Sequence, residues 1–142
     1  MAIVNNLQKC LESPYLFEDS DAPSRVPGLL NMAADRLEAA TNIHSYQKGD
    51  KADIIFLSYE AMFACIRALV YTKGLREYGL RCLLIAVDVQ YVKPGLLDAR
   101  LIQKFQTIQE LKSSPEEAIE LASAMVKRTL EILTSAQSAK SA

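Results

Sequence analysis

The sequence contains few of the residues that build metal centres and acid–base sites. It has one histidine among 142 residues, and no glutamate stands three residues before it, as the Glu-x-x-His ligands of helical bundles would require. The three cysteines, Cys10, Cys65 and Cys82, are odd in number and widely spaced, with no Cys-x-x-Cys pair. This spacing indicates neither a zinc site nor a disulfide framework. Glycine-rich phosphate loops and nucleophile elbows are also absent, so we expect no metal and no cofactor and identify no catalytic residue.

Charge of one sign is not in excess, since 16 lysines and arginines stand against 17 aspartates and glutamates. This balance argues against a strongly basic nucleic-acid-binding protein and against an acidic tail, and it leaves local basic patches open. The N-terminus lacks the basic segment and following apolar segment of a secretory signal peptide. We therefore expect a cytoplasmic protein with reduced thiols.

Apolar residues are concentrated in residues 54–74, where only Glu60 and Arg67 interrupt the inner part of the run. The run is shorter than the roughly 20 uninterrupted apolar residues of a membrane span, and it contains ionised groups. A helix that is apolar on nearly every side is normally buried among other helices. We predict a central helix over residues 51–72 that ends at Gly74 in a left-handed cap, with Cys65 as a small buried side chain and no membrane contact.

The rest of the sequence predicts an all-α fold, an antiparallel up-and-down bundle of four to five helices. Around the central helix we expect helices over residues 28–46, 77–91, 97–112 and 115–135. Ser114, Pro115 and Glu117 have the spacing of a helix N-cap with a capping box. The expected organisation is a short helix (residues 2–12) and a proline-containing loop within residues 1–25, the bundle over 26–136, and a frayed tail over 137–142.

The central segment also carries a family resemblance. Residues 58–75 resemble the central helix of HEPN domains, one branch of which has the pattern Tyr-x-Ala-x-Phe-x-x-x-Arg-Ala-Leu-Leu-x-x-x-Gly. Residues 92–96 resemble that branch's loop after the third helix, and residues 33–40 resemble its first helix. The resemblance extends over about residues 26–135 and implies a HEPN-like bundle. The matching positions of the central pattern are Tyr59, Ala61, Phe63, Arg67, Ala68, Leu69, Val70 and Gly74.

The resemblance implies a homodimer and two kinds of function. Many HEPN domains are metal-independent ribonucleases, often toxins paired with a small nucleotidyltransferase, and they use an Arg-x4-6-His motif. Others lack this motif and bind RNA, nucleotides or proteins. Here no arginine is followed by a histidine at that spacing: seven residues separate Arg36 from His44, and Leu80 stands where a histidine commonly follows the glycine turn. A leucine cannot shuttle protons.

We therefore expect a non-catalytic HEPN-like module, a homodimer that binds a nucleotide, RNA or a protein partner. One alternative is a divergent metal-independent ribonuclease, the toxin of a pair with a minimal nucleotidyltransferase partner protein. The other alternative is a plain helical module for protein assembly.

Six residues make up the candidate ligand site, and each has a structural alternative. The guanidinium of Arg67 matches phosphate oxygens, but a buried arginine also needs an acid partner, either Glu60 or an acid on a neighbouring helix. The basic residues after the central helix could attract an anion or be ordinary solvated charges. Tyr59, like Tyr71, Tyr78 and Tyr91, could stack on a base or pack in the core. The six residues are Arg67, Glu60, Tyr59, Lys73, Arg76 and Arg81.

Overall fold

A computed structural model describes residues 6–110 and 113–141. At residues 6, 109 and 137–141 it describes the backbone but not the side chains. The helices are α1 (Asn6–Leu11), α2 (Val26–Ser45), α3 (Lys51–Tyr71), α4 (Leu80–Val87), α5 (Ala99–Thr107) and α6 (Pro115–Ser141). Single 3-10 turns cover Ala22–Arg25 and Ile108–Glu110, and a π-helical turn covers Asp88–Val92. Two short strands, β1 (Leu16–Glu18) and β2 (Leu75–Glu77), complete the described part of the chain.

Helix α3 is the centre of the molecule. It packs mainly against α2 and α6, and also against α4 and α5. Met62, Ile66 and Leu69 on α3 are fully buried. By length and composition α3 could cross a membrane, but 72% of its most apolar 18-residue stretch is buried inside the bundle. The predicted all-α bundle is confirmed, and the residues predicted to form its central helix do so.

The ends of the long helices follow local sequence signals. Asp50 and Asp53 form a reciprocal capping box at the start of α3, each side chain accepting a hydrogen bond from the other residue's backbone N–H. Gly74 has a φ of +80°, as predicted for the left-handed cap after the central helix. At the start of α6, the Ser114 hydroxyl accepts a hydrogen bond of 3.0 Å from the Glu117 N–H, as predicted for this N-cap.

The predicted third helix is wrong at its start. Residues 75–77 form strand β2, which pairs antiparallel with β1 so that Phe17 lies opposite Arg76. Each strand has three residues, too few to show the alternation of apolar and polar side chains that identifies a strand in a sequence. After α4, the Lys93 N–H donates to the Asp88 carbonyl five residues earlier, which is a π-helical bond.

The other predicted boundaries differ by smaller amounts. The described part of the expected helix over residues 2–12 is α1, and residues 2–5 lie outside the described residues. The fourth helix begins at Ala99, after Asp98 caps it, and becomes a 3-10 turn at Ile108. The backbone of residues 137–141, within the expected frayed tail, continues α6.

A disulfide joins α1 to α4, contrary to the expectation from the cysteine spacing. Cys10 and Cys82 are buried, their Cα atoms lie 5.7 Å apart, and 72 positions separate them in the sequence. A spacing rule detects only local cysteine pairs, whereas this pair forms because α1 packs on α4. Cys65 is free and buried inside the bundle, as predicted.

Candidate functional site

Arg67 forms an ion pair with Glu77 rather than with Glu60. Its Nε and Nη2 atoms each lie 3.0 Å from Oε2 of Glu77. The Tyr71 hydroxyl donates a hydrogen bond of 2.7 Å to the other oxygen, Oε1. Glu77 is only 7% exposed, so both of its oxygens are engaged away from solvent. The pair holds the arginine side chain in one position while leaving it 39% exposed.

The local fold explains this choice of partner. Arg67 and Tyr71 are four residues apart on α3, so their side chains lie on the same face. The left-handed Gly74 reverses the chain, and β2 returns Glu77 to that face. Glu60 is seven residues before Arg67, about 10 Å along the helix axis, which is too far for direct contact. It instead pairs with Arg36 of α2 at 3.3 Å.

An aromatic cluster also contacts Arg67. The guanidinium carbon of Arg67 lies 4.3 Å from the centroid of the Phe63 ring, within the range of a cation–π contact. Tyr59 stacks on Phe105 with ring centroids 4.7 Å apart, and Phe63 meets both rings edge-on. Tyr59 therefore packs within this cluster, as in the structural alternative considered for it.

The side chain of Arg67 lines a groove between α2, α3 and β2, which we call the arginine groove. Its volume is about 550 Å³. Arg76 also lines it, and its Nη1 atom lies 3.6 Å from Asp19. Arg25 is exposed and forms no ion pair with any described residue. The lining residues are Arg25, Gly28, Leu29, Met32, Arg67, Tyr71, Arg76, Glu77 and Tyr78.

The structure brings only two of the six candidate residues together, Arg67 and Arg76. Lys73 lies outside the arginine groove, with its Nζ atom 5.6 Å from the ring centroid of Tyr91. Arg81 lines a different groove, beside α4 and α5. Tyr59 and Glu60 do not line the arginine groove.

The six-residue candidate site omits four residues that shape the arginine groove. For Tyr71 and Tyr78 the sequence predicts only a ring that stacks on a base or packs in the core. The place of Tyr71 beside Arg67 could have been found, because Tyr71 is four positions later on the same predicted helix. Arg25 lay in a loop without periodicity. Glu77 and Tyr78 were assigned to a helix, and their place in the groove depends on the pairing of β2 with β1.

The arginine groove is suited to binding an anion rather than to proton transfer. Burial, with the hydrogen bond to Glu77 and the charge of that carboxylate, raises the pKa of Tyr71 to about 12. Tyr71 therefore stays protonated near neutral pH and acts as a donor. The described residues contain no cluster of His, Cys, Asp and Glu that could hold a metal. His44 is at the end of α2, where its Nε2 atom lies 3.2 Å from Glu116, and it does not line this groove.

Comparison with known proteins identifies the family. The model of the HEPN domain matches residues 26–133, from the start of α2 into α6. No curated protein and no solved structure matches the chain significantly. The segment that carries α1, β1 and Cys10 precedes the matched region. Because the match extends over most of the sequence and includes the central helix with Arg67, the chain belongs to the HEPN domain family.

Proposed function

We propose that this chain is a non-catalytic HEPN module that binds a nucleotide or a single strand of RNA in the arginine groove. The observation that carries the proposal is the convergence of Arg25, Arg67 and Arg76 on one groove that also presents the ring of Tyr78. Arg67 is paired with Glu77 and Arg76 with Asp19, so the exposed Arg25 leaves this surface with a net positive charge. A positive concave surface attracts anionic ligands.

The arginines provide the phosphate contacts. The planar guanidinium group pairs with phosphate oxygens through two parallel hydrogen bonds. Glu77 and Phe63 hold Arg67 in place before a ligand arrives, so less side-chain freedom is lost on binding. Arg25, which has no acid partner among the described residues, adds a charge whose full strength is available to a ligand.

Tyr78 provides a surface for a base. It is 73% exposed, and its ring centroid lies 5.1 Å from that of Phe17, which supports it from β1. Bases stack on such rings with little dependence on their sequence. The groove volume of about 550 Å³ also falls within the range of small-molecule sites.

The lining residues favour binding over RNA cleavage. A ribonuclease needs a group that exchanges protons near neutral pH, and Tyr71 with its pKa of about 12 is not such a group. Both oxygens of Glu77 are occupied by Arg67 and Tyr71. The arginine groove thus contains phosphate-binding groups without an evident general base.

Calorimetric titration with AMP, ADP and an eight-residue oligouridylate tests the proposal. We expect Arg25→Ala and Tyr78→Ala each to weaken binding about tenfold, in line with the loss of one charged or one stacking contact. Both residues are exposed, so these variants should fold normally. Arg100→Ala is the matched control, because Arg100 is an exposed arginine that does not line the arginine groove.

Two results would overturn the proposal. Absence of binding for all three ligands at millimolar concentration would rule out nucleotide and RNA binding and favour a protein-assembly module. Cleavage of total RNA by the purified protein, abolished in Arg25→Ala and retained in Arg100→Ala, would make the chain a divergent ribonuclease.

The proposal includes a homodimer, the arrangement implied by the family. Phe56 on α3 is 57% exposed, which is unusual on a helix that is otherwise mostly buried. An exposed aromatic residue of this kind is a common interface anchor. Light scattering at micromolar concentration should give the mass of a dimer, and Phe56→Asp should shift it towards the monomer. A wild-type monomer under these conditions would contradict the dimer.

The cytoplasmic location expected from the sequence stays a prediction. The Cys10–Cys82 disulfide weighs against it, because cytosolic thiols are normally kept reduced. Alkylation of thiols in denaturant at the moment of cell lysis, read by mass spectrometry, decides the question. Three alkylated cysteines support a reducing compartment, and one supports an oxidising compartment.

A further inference from the structure

A second groove, which we call the apolar groove, lies between α4, the π-helical turn and α5. Its volume is about 460 Å³. Leu80 is 40% exposed, and Leu84, Ile85 and Val89 are half-buried. The lining residues are Leu80, Arg81, Leu84, Ile85, Asp88, Val89, Lys93, Ile102 and Gln106, none of which lines the arginine groove. The two grooves are therefore separate surfaces.

The charges of the apolar groove are mostly positive. Arg81 is exposed and forms no ion pair with any described residue. Lys93 lies 3.7 Å from Asp88, and both side chains are about half exposed. An exposed pair at this distance is weak, so Lys93 remains available to a stronger partner. Two cations against one acid, beside an apolar surface, complement a ligand that is apolar along its body and negative at its head.

The backbone of the apolar groove is also unusual. Asp88 and Val89 belong to the π-helical turn, and Lys93 follows directly after it. Such turns are rare and occur frequently at functional sites. The π-helical turn is thus a feature of the groove that is independent of its charges and of its apolar lining.

We infer that the apolar groove binds a small amphipathic anion, an apolar chain or ring system that carries a carboxylate. The carboxylate pairs with Arg81 at one end of the groove, and the apolar body lies along Leu84, Ile85 and Val89. Lys93 is twelve residues further along the same helical segment, about 18 Å from Arg81, and adds to the positive potential at the other end. The volume fits this class of ligand, because pockets for small molecules have volumes of a few hundred Å³ and an apolar lining with few polar groups. The inference does not depend on nucleotide binding in the arginine groove.

Titration with three ligands of one chain length tests the head group. Decanoate, decan-1-ol and decylammonium are added to the full-length protein below their aggregation concentrations. We expect decanoate to bind with one-to-one stoichiometry and at least about tenfold more tightly than decylammonium, because the rim charges attract only the anion. Arg81→Glu should weaken decanoate about tenfold by reversing one of these charges, and Arg100→Glu, a charge reversal outside the apolar groove, should leave it unchanged.

Methyl-labelled NMR locates the ligand. Decanoate should shift the methyl signals of Leu84, Ile85 and Val89 and leave those of Leu29 and Met32 in the arginine groove unchanged. Equal affinity for the three head groups, no effect of Arg81→Glu, or shifts confined to other parts of the protein would each overturn the inference. Conversion of a dimer to a monomer by Leu80→Gln would also overturn it, because a second copy of the chain would then cover the apolar groove.

Discussion

Glu77 is the residue on which the arginine groove depends. It is a buried carboxylate that receives hydrogen bonds from Arg67 and Tyr71 and so fixes both side chains. A buried charge that loses its partners is costly, whereas the removal of an exposed pair changes little. Glu77 therefore acts as a positioning residue for the arginine that we propose to contact phosphate.

The stability of variants at this pair tests that role. We expect Arg67→Met to destabilise the fold by about 2 kcal/mol or more, because it leaves Glu77 buried without its cation. Glu60→Ala is the control: it removes the half-exposed pair with Arg36 and should cost less than about 1 kcal/mol. Urea unfolding measures both variants. Equal losses for the two would show that Glu77 is not held by Arg67.

Cys65 gives a test of the cysteine arrangement. Burial raises the pKa of its thiol to about 12, so the reactive thiolate is almost absent at pH 8. The native protein should therefore show no thiol that reacts rapidly with a maleimide. In denaturant without reductant one cysteine should react, and after reduction all three should react. Three reactive thiols without reductant would rule out the Cys10–Cys82 disulfide.

At the scale of elements, the disulfide fastens the N-terminal segment to the domain. This segment carries β1, whose pairing with β2 places Arg76 and Glu77 in the arginine groove. Outside the disulfide, α1 packs chiefly against α4 and β1. Loss of the crosslink should therefore loosen the wall of the arginine groove that is formed by β2.

Removal of the crosslink should lower stability strongly. The chain-entropy estimate for a loop of 72 residues is about 4 kcal/mol. We expect the double variant Cys10→Ser, Cys82→Ser to unfold at lower urea concentration than the oxidised wild type. Reductant should lower the unfolding midpoint of the wild type and leave that of the double variant unchanged, which is the control. If the oxidised wild type and the double variant have the same midpoint, the disulfide does not stabilise the fold.

The sequence predicts the long helices well and the small sheet not at all, for a physical reason. Helices α2, α3 and α6 are each twenty residues or longer, so their apolar spacing is repeated many times. The N-caps of α3 and α6 are encoded locally. Strands β1 and β2 have three residues each and are stabilised by contacts between distant parts of the chain. The partner of Arg67 and the partner of Cys10 both come from such distant contacts. Arg67 itself was found because it interrupts an apolar helix.

For the whole molecule, two buried tyrosines make the stability of the fold depend on pH. Burial raises the pKa of Tyr91 to about 12, and burial with the Glu77 contact does the same for Tyr71, both from an ordinary value of 10.0. Between about pH 10 and pH 12, the unfolded chain has lost these protons and the folded chain retains them. Unfolding therefore releases protons in this range, and stability falls as the pH rises.

An absorbance titration at 295 nm checks this prediction. In the folded protein, Tyr71 and Tyr91 should ionise late, together with unfolding. Tyr91→Phe should remove one late tyrosine. Ionisation of all six tyrosines near pH 10 while the helical signal persists would contradict the burial of Tyr71 and Tyr91.

The bundle presents two grooves of different chemistry on one framework. The arginine groove contains fixed cations and an exposed ring, and the apolar groove has cations beside an apolar surface. The central claim is that the first groove contacts phosphate through its arginines. Release of counterions measures such contacts directly, because each neutralised phosphate of a single strand contributes about 0.7 to the slope of log affinity against log salt.

The salt dependence of oligouridylate binding is thus the most direct test. Affinity for the eight-residue strand is measured by fluorescence anisotropy at several salt concentrations, for the wild type, Arg25→Ala and Arg100→Ala. We predict a wild-type slope that Arg25→Ala reduces by about 0.7 and Arg100→Ala leaves unchanged. A slope that is the same in the wild type and in Arg25→Ala, or the absence of any binding, would contradict it.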